Sequence, residues 1–288
     1  MFGTSANPPT GSEGHAGLVK ALVNLQKFDE VRVLPVYRHT FASKRNQLLG
    51  FDHRVAMCEL AVKGLSALSD ATATANGTKQ DESISDTSDG VVHTVAVVSR
   101  AEEDSFRRTL ASSDARTDEE KTALRVGTAD LVEMLMEDED KEQKNNDAAA
   151  EGVATPKTEF SFCLGADTFL DLTDWKWKRS RDVLRLLEGR LVVVNRKEEE
   201  GDGNNNTETT KASTLRKRIE ETNATPLGNG RITLLDVPTL GDVSSSKIRN
   251  AENKELVKHM LSPKVLEYVI ANNLYGFGTD QEDGNIIA

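Results

Sequence analysis

The sequence predicts an α/β protein built on a doubly wound, mostly parallel sheet. Short runs rich in Val, Ile and Leu recur along the chain. Segments of helical periodicity lie between them, and the Gly-, Ser- and hydroxyl-rich stretches fall beside or just after the apolar runs. Strand alternating with helix is the signature of parallel βα units, and runs apolar on both faces read as strands covered on both sides.

Leu18, Leu22 and Leu25 share one face of a first helix at spacings of four and three, and "VRVLPV" (31–36) reads as the next strand. Asp52 serves as a helix cap before Val55, Cys58, Val62 and Leu65, which form an apolar stripe. "VVHTVAVV" (91–98), "FSFCLG" (160–165), "RLVVVN" (190–195) and "RITLLDV" (231–237) are further strands, with a helix carrying Val183, Leu184 and Leu187 before the third of these. A last helix opens at Ser262-Pro263, with serine as cap and proline in the first helical position, and is expected to bury Leu266, Val269 and Ile270. Ligands of such sheets bind beyond the carboxyl ends of the strands, which directs attention to the loops there.

The chain has 288 residues and a net charge of −11, with 37% hydrophobic and 5% aromatic residues. The acidity is concentrated in three polar, aromatic-free segments. Residues 69–90 carry five acids and one lysine, 137–151 seven acids and two lysines, and 197–203 four acids and one lysine. Together they outweigh the net charge of the whole chain, so the remainder is near neutral. That leaves room for a phosphate-bearing ligand but argues against a nucleic-acid-binding face. Low apolar content marks these segments as flexible inserts. The expected organisation is a single domain over 1–278, interrupted at about 69–90, 137–157 and 197–226, with a tail at 279–288. Cys58 and Cys163 lie in apolar surroundings without metal-ligand spacing and read as buried free thiols of a reducing compartment. No apolar run approaches the length of a membrane span and no signal peptide is evident, so an intracellular, cytoplasmic protein without membrane contact is expected.

Two stretches carry chemistry. "GTSANPPTGSEGH" (3–15) leads into the first helix, placing Gly14 and His15 at a helix N-terminus. There N–H groups and the helix dipole favour a phosphate, and Thr4, Ser5, Thr10 and Ser12 supply hydroxyls. "VSSSKIRN" (243–250) follows the last strand, and its three serines, with Lys247 and Arg249, suit a triphosphate.

Together these stretches resemble the nucleotidyltransferase superfamily of adenylyl- and cytidylyltransferases, most closely the nicotinate/nicotinamide mononucleotide adenylyltransferases. The first loop is similar to the family's Gly, hydroxyl, Asn-Pro and His/Thr-x-Gly-His pattern, and Val243–Arg249 to its Ile-Ser-Ser-Thr-x-Ile-Arg signature. "LGADTFLDLTDW" (164–175), "RLVVVNR" (190–196), "FDHRVAMCELAV" (51–62), "VGTADLVEML" (126–135) and "SPKVLEYVIANNLYG" (262–276) resemble further family segments in the family's order. The resemblance spans about two thirds of the chain and implies a Rossmann-like nucleotidyltransferase fold. It also implies Mg²⁺-assisted transfer of AMP from ATP to a pyridine mononucleotide, with release of pyrophosphate.

By position, the resemblance gives the catalytic roles to His15, Ser12, Lys44 and Arg249. His15 would make charge-assisted hydrogen bonds to the α- or β-phosphate, and Lys44 would reach a phosphate. Gly3, Thr4, Ser5 and Gly14 would meet ATP through the loop, Ser244, Ser245, Ser246 and Arg249 would bind its β- and γ-phosphates, and Gly165, Asp167 and Arg196 would complete the ATP site. Asp167 would accept hydrogen bonds from the ribose. Thr128 and Trp175 would serve the mononucleotide, Trp175 by stacking on the pyridine ring. No protein-bound metal is implied; Mg²⁺ arrives with the ATP phosphates. A homo-oligomer is left open.

The first loop is longer than the family pattern, so either Thr10 or Ser12 fills the slot ahead of Gly14-His15. Only Met1 and Phe2 precede Gly3, which leads one to expect that part of the natural first strand is missing. Two rival readings keep the nucleotide and change the rest: a phosphopantetheine or CTP-using transferase, and a nucleotide-binding protein without catalysis.

Overall fold

The computed structural model describes residues 1–39, 45–75, 94–115, 117–149, 157–195 and 205–278. In chain order the first half comprises β1 (Phe2–Thr4), α1 (His15–Asn24), β2 (Glu30–Pro35), α2 (Phe51–Ala75), β3 (Val95–Val98), α3 (Ala101–Ser112), α4 (Asp118–Ala123) and α5 (Thr128–Ala149). The second half comprises β4 (Phe162–Gly165), α6 (Ala166–Thr173), α7 (Ser180–Leu186), β5 (Leu191–Asn195), α8 (Asn205–Asn223), β6 (Thr233–Asp236), α9 (Ser245–Asn250) and α10 (Pro263–Ala271). Two 3₁₀ segments, Lys254–Met260 and Leu274–Gly276, flank α10.

The six strands form one sheet in the order β3-β2-β1-β4-β5-β6, with parallel registers such as Phe2↔Cys163, Val31↔Ala96, Cys163↔Val192 and Val193↔Leu234. The predicted α/β class with a parallel, helix-flanked sheet is the observed one. β4 and β5 are buried almost throughout. β3 and β6 were expected to be covered on both faces, yet they are partly exposed. They are the edge strands and have a neighbour on one side only.

Contacts divide the chain into two compact units. The first comprises Met1–Thr4, Leu34–Leu48 and Ser99–Pro238; the second comprises Ser5–Val33, Leu49–Val98 and Thr239–Ala288. The core of the first unit gathers Phe162 and Leu164 of β4, Leu191 and Val193 of β5, Leu131 and Leu135 of α5, and Val183 and Leu184 of α7. The core of the second packs Met57 and Ala61 of α2 against Ile248 of α9, Val257, and Val265 and Val269 of α10.

Several local readings change. Asp52 lies in the first turn of α2, whose first residue is Phe51; an acid there suits the positive end of the helix dipole. Ser262 does cap α10 ahead of Pro263, but its hydroxyl makes no capping bond and is buried without a hydrogen-bond partner among the described residues. The buried stripe of α10 is Val265 and Val269, while Ile270 is 40% exposed. Burial pushes the thiols of Cys58 and Cys163 up to about 12, which keeps both free cysteines in the unreactive protonated form.

The larger change concerns the acidic and polar segments. Residues 69–75 continue α2, 137–149 continue α5, and 205–223 form α8; residues 76–90, 150–156 and 197–204 lie outside the described residues. Glu, Lys, Gln and Ala are good helix formers, so a polar segment adjoining a docked helix extends it. In α8, Leu215 and Ile219 stand one turn apart and are 3% and 7% exposed in the first unit's core, and Arg218 pairs with Asp174 at 2.6 Å. Two apolar residues four apart are enough to dock a helix whose composition is otherwise that of a solvated segment.

Leu215→Ala is therefore expected to lower unfolding stability by about 2–5 kcal/mol, the usual cost of an unfilled cavity, as measured by chemical denaturation. A loss below about 0.5 kcal/mol, the size of an ordinary surface change, would show that α8 is not docked.

Candidate functional site

From Ser5 onward the first loop belongs to the second unit, as does the serine-rich turn, and the structure brings the two together. The Ser245 hydroxyl donates to the carbonyl of Pro8 at 2.7 Å, and Arg249 Nη1 donates to the carbonyl of Asn7 at 2.6 Å. Arg249 Nη2 also donates to Ser246 Oγ at 3.1 Å. Among the described residues no carboxylate pairs with Arg249, so a carbonyl and a hydroxyl hold its guanidinium without neutralising it. Lys247 differs: its ammonium pairs with the Asp242 carboxylate and donates to the Asp242 carbonyl at 2.9 Å. Of the two cations read from the sequence as phosphate ligands, one is already spent on a neighbouring acid.

Ser244 caps α9, its hydroxyl accepting the Lys247 N–H at 3.1 Å. Among the described residues no acceptor takes the N–H groups of Ser245 and Ser246. The start of α1 is the opposite case. Gly14 N–H donates to Gly11 O, Ala16 N–H to Thr10 O, Gly17 N–H to Gly11 O, and His15 N–H to Thr10 Oγ1 at 2.9 Å. The donors expected to receive a phosphate there are consumed by the loop itself.

That closure fixes His15. Thr10 is 1% exposed, its N–H reaches His15 Nδ1 at 3.1 Å, and its hydroxyl lies 2.6 Å from the same nitrogen. Since Thr10 Oγ1 accepts the His15 N–H, its own proton points to Nδ1. A nitrogen receiving two donors carries no proton, so the ring proton sits on Nε2. Held in this way the imidazole keeps Nε2–H as its outward donor, and a bond from it to an ionised phosphate would still be charge-assisted. Thr10 thus packs against His15, while Ser12 is exposed on the loop. Glycine is obligatory at position 14: a Cβ there would lie 1.9 Å from Thr10 Oγ1.

Three residues that the sequence did not single out hold the loop from behind. Asn7 is 2% exposed. Its Oδ1 accepts the Leu49 N–H at 3.1 Å and the Tyr275 hydroxyl at 2.8 Å. Arg54, 1% exposed, donates Nε to Leu49 O at 2.9 Å and Nη1 to Ser5 O at 3.1 Å. All three fall in segments that resemble the family, but sequence reasoning assigns none of them a role of its own; Arg54 stands out only as a charged residue inside the apolar stripe of α2.

The other expected site residues lie in the first unit or outside the described residues. Gly3 and Thr4 are strand residues of β1, where Thr4 O accepts the Val36 N–H at 2.8 Å. Gly165 caps α6, and Asp167 lies in its first turn, exposed and without an ion pair among the described residues. Thr128 opens α5, whose first turn is capped by a bond from Gly127 N–H to the Asp130 carboxylate at 2.8 Å. Trp175, 48% exposed with φ 62°, has the Arg181 guanidinium 5.1 Å from its ring centroid. It borders an open cleft of about 560 Å³ lined also by Thr173, Asp174, Arg218, Thr222 and Leu227. Lys44 and Arg196 fall outside the described residues.

No family model matches the chain. It is similar to a probable nicotinate-nucleotide adenylyltransferase of Caldicellulosiruptor saccharolyticus, at 30% identity over 127 residues, 42% of this chain and 53% of that protein. The chain thus spans about half the length of this curated relative. Among the described residues no helix is long and apolar enough to cross a membrane.

The tautomer of His15 can be read directly by ¹⁵N NMR of the imidazole. The native protein is expected to show Nε2–H, and Thr10→Val to shift the balance toward Nδ1–H by removing one of the two donors. An Nδ1–H ring in the native protein would contradict the hydrogen-bond assignment.

Proposed function

We propose that this chain transfers AMP from ATP to nicotinate or nicotinamide mononucleotide, forming a pyridine dinucleotide and pyrophosphate. The observation that carries the reading is the uncompensated Arg249 guanidinium, bound to the Asn7 carbonyl beside the loop that aims His15. The similarity to a nicotinate-nucleotide adenylyltransferase supports it from an independent side.

In this reading a phosphate oxygen of the mononucleotide attacks the α-phosphorus of ATP, the α–β bridging bond breaks, and pyrophosphate leaves with the electron pair. The protein positions the reactants and meets the charge that develops on the phosphoryl oxygens. His15 would donate through Nε2–H. Arg249, with the N–H groups of Ser245 and Ser246, would hold the departing β- and γ-phosphates. A donor set of guanidinium, hydroxyls and N–H groups suits phosphate oxygens and not a cation, so Mg²⁺ belongs to the ATP that enters. The ribose and pyridine contacts remain assigned to Asp167 and Trp175, and the phosphate contact of Lys44 is likewise part of the proposal.

Incubation with ATP, Mg²⁺ and each candidate acceptor, followed by pyrophosphate release, tests the reading. Turnover is expected with a pyridine mononucleotide, and His15→Ala or Arg249→Ala should each lower it about 10²–10³-fold, the usual effect of removing one donor to developing charge. Release only with phosphopantetheine or only from CTP would change the substrate assignment. ATP binding without release from any acceptor would leave a nucleotide-binding protein.

A further inference from the structure

The C-terminal turn reaches the first loop through the side chain of Tyr275. Tyr275 is 268 residues from Asn7 in sequence, and its hydroxyl donates to Asn7 Oδ1 at 2.8 Å. Asn7 is also the residue whose carbonyl receives Arg249. The amide and the carbonyl of one buried residue therefore tie the C-terminal turn to the guanidinium.

The turn is built at a conformational cost that aims this hydroxyl. Asn273 and Tyr275 both have left-handed backbones, with φ of 50° and 55°, a region that non-glycine side chains rarely adopt and that persists only where its surroundings enforce it. Leu274 and Phe277 anchor the turn at 8% and 2% exposure in the second unit's core. The same turn touches Arg249's own helix. Lys254 lies 5.8 Å from the centroid of the Phe277 ring and donates to the carbonyls of Ile248 and Arg249 at 3.1 and 3.0 Å. A cation on those terminal carbonyls fixes the C-terminal end of α9. Burial raises the Tyr275 phenol above its ordinary value, with Arg54 and Arg249 opposing the shift, so the hydroxyl keeps its proton and stays a donor.

We infer that Tyr275 is a positioning residue for Arg249, acting through Asn7 to set where the guanidinium meets a polyphosphate. The inference rests on the reading of Arg249 as a ligand of the ATP phosphates. The hydroxyl touches no substrate in this scheme; removing it lets Asn7 shift, and the Asn7 carbonyl is what orients Nη1.

Titration calorimetry of the full chain with ATP, and separately with inorganic tripolyphosphate, tests it. Tyr275→Phe removes one hydrogen bond and is expected to weaken binding of both probes about five- to tenfold. Tyr268→Phe is the control, because it deletes a hydroxyl of the same unit that bonds His53 Nδ1 instead; it should bind both probes like the wild type. In an Arg249→Ala background, and in an Asn7→Ala background, Tyr275→Phe should change affinity less than about twofold, the mark of groups acting through one another. Melting temperatures of all variants separate this effect from a general loss of fold. Undiminished binding by Tyr275→Phe, or full additivity with Arg249→Ala, would overturn the inference alone. A wild-type chain that binds neither probe would overturn the functional reading along with it.

Discussion

A guanidinium bound to a main-chain carbonyl is the contact on which the candidate site depends. A carbonyl can orient an arginine through a hydrogen bond, and unlike a carboxylate it leaves the positive charge uncancelled. The chain contains the contrasting case. Arg179 is held by Asp130, Glu133 and Asp182, which raise its pKa and spend its charge on the protein's own carboxylates. Arg249 has Asn7 O and Ser246 Oγ, and Lys247, two positions before it, has Asp242. Counting basic residues cannot separate these three; their acceptors can.

The first loop is the second half of the arrangement, and its design is to turn its acceptors inward. Ser5 O is taken by Arg54, Asn7 O by Arg249, Pro8 O by Ser245, and Thr10 O and Gly11 O by the first N–H groups of α1. A carbonyl facing an incoming polyphosphate would repel it, so satisfying these groups from the protein side removes an electrostatic obstacle. The same closure denies the ligand the N–H groups at the start of α1. In the proposed reading, the donors left for an anion are therefore not those of the helix terminus but Arg249, the Nε2–H edge of His15 and the opening turn of α9. Gly14 makes this possible, since any side chain there would collide with Thr10 Oγ1.

Most of the scaffold was legible because burial leaves a period in the sequence. β4 and β5 are nearly continuous apolar runs, β2 is apolar apart from Glu30 and Arg32, and α1 and α2 show their stripes at spacings of three and four. α8 was not legible, because Leu215 and Ile219 are two apolar residues in an otherwise polar stretch and composition outvotes them. The pairing of the first loop with Ser245 and Arg249 was readable only as complementary chemistry, hydroxyls and a cation suited to phosphate. Which groups would face a ligand was not readable. That depended on Thr10 turning back onto His15 and on Asp242 claiming Lys247, choices fixed by local backbone geometry that no periodicity records.

The donors that complete the loop come from far along the chain. Leu49 and Arg54 lie at the entrance of α2, Ser245 and Arg249 in α9, and Tyr275 in the terminal turn; the last two are 242 and 268 residues from Asn7. Contacts of such separation form only after the intervening chain has closed, at an entropic cost that grows with loop length. The loop therefore cannot hold its carbonyls inward on local interactions alone, since Asn7 O and Oδ1 have to find donors that do not exist nearby in sequence. The geometry of His15 is different in kind: Thr10 supplies both of its Nδ1 contacts from five residues away. One half of the site is thus built locally and the other by tertiary closure, and a defect in the C-terminal turn would loosen Arg249 while leaving the imidazole correctly held.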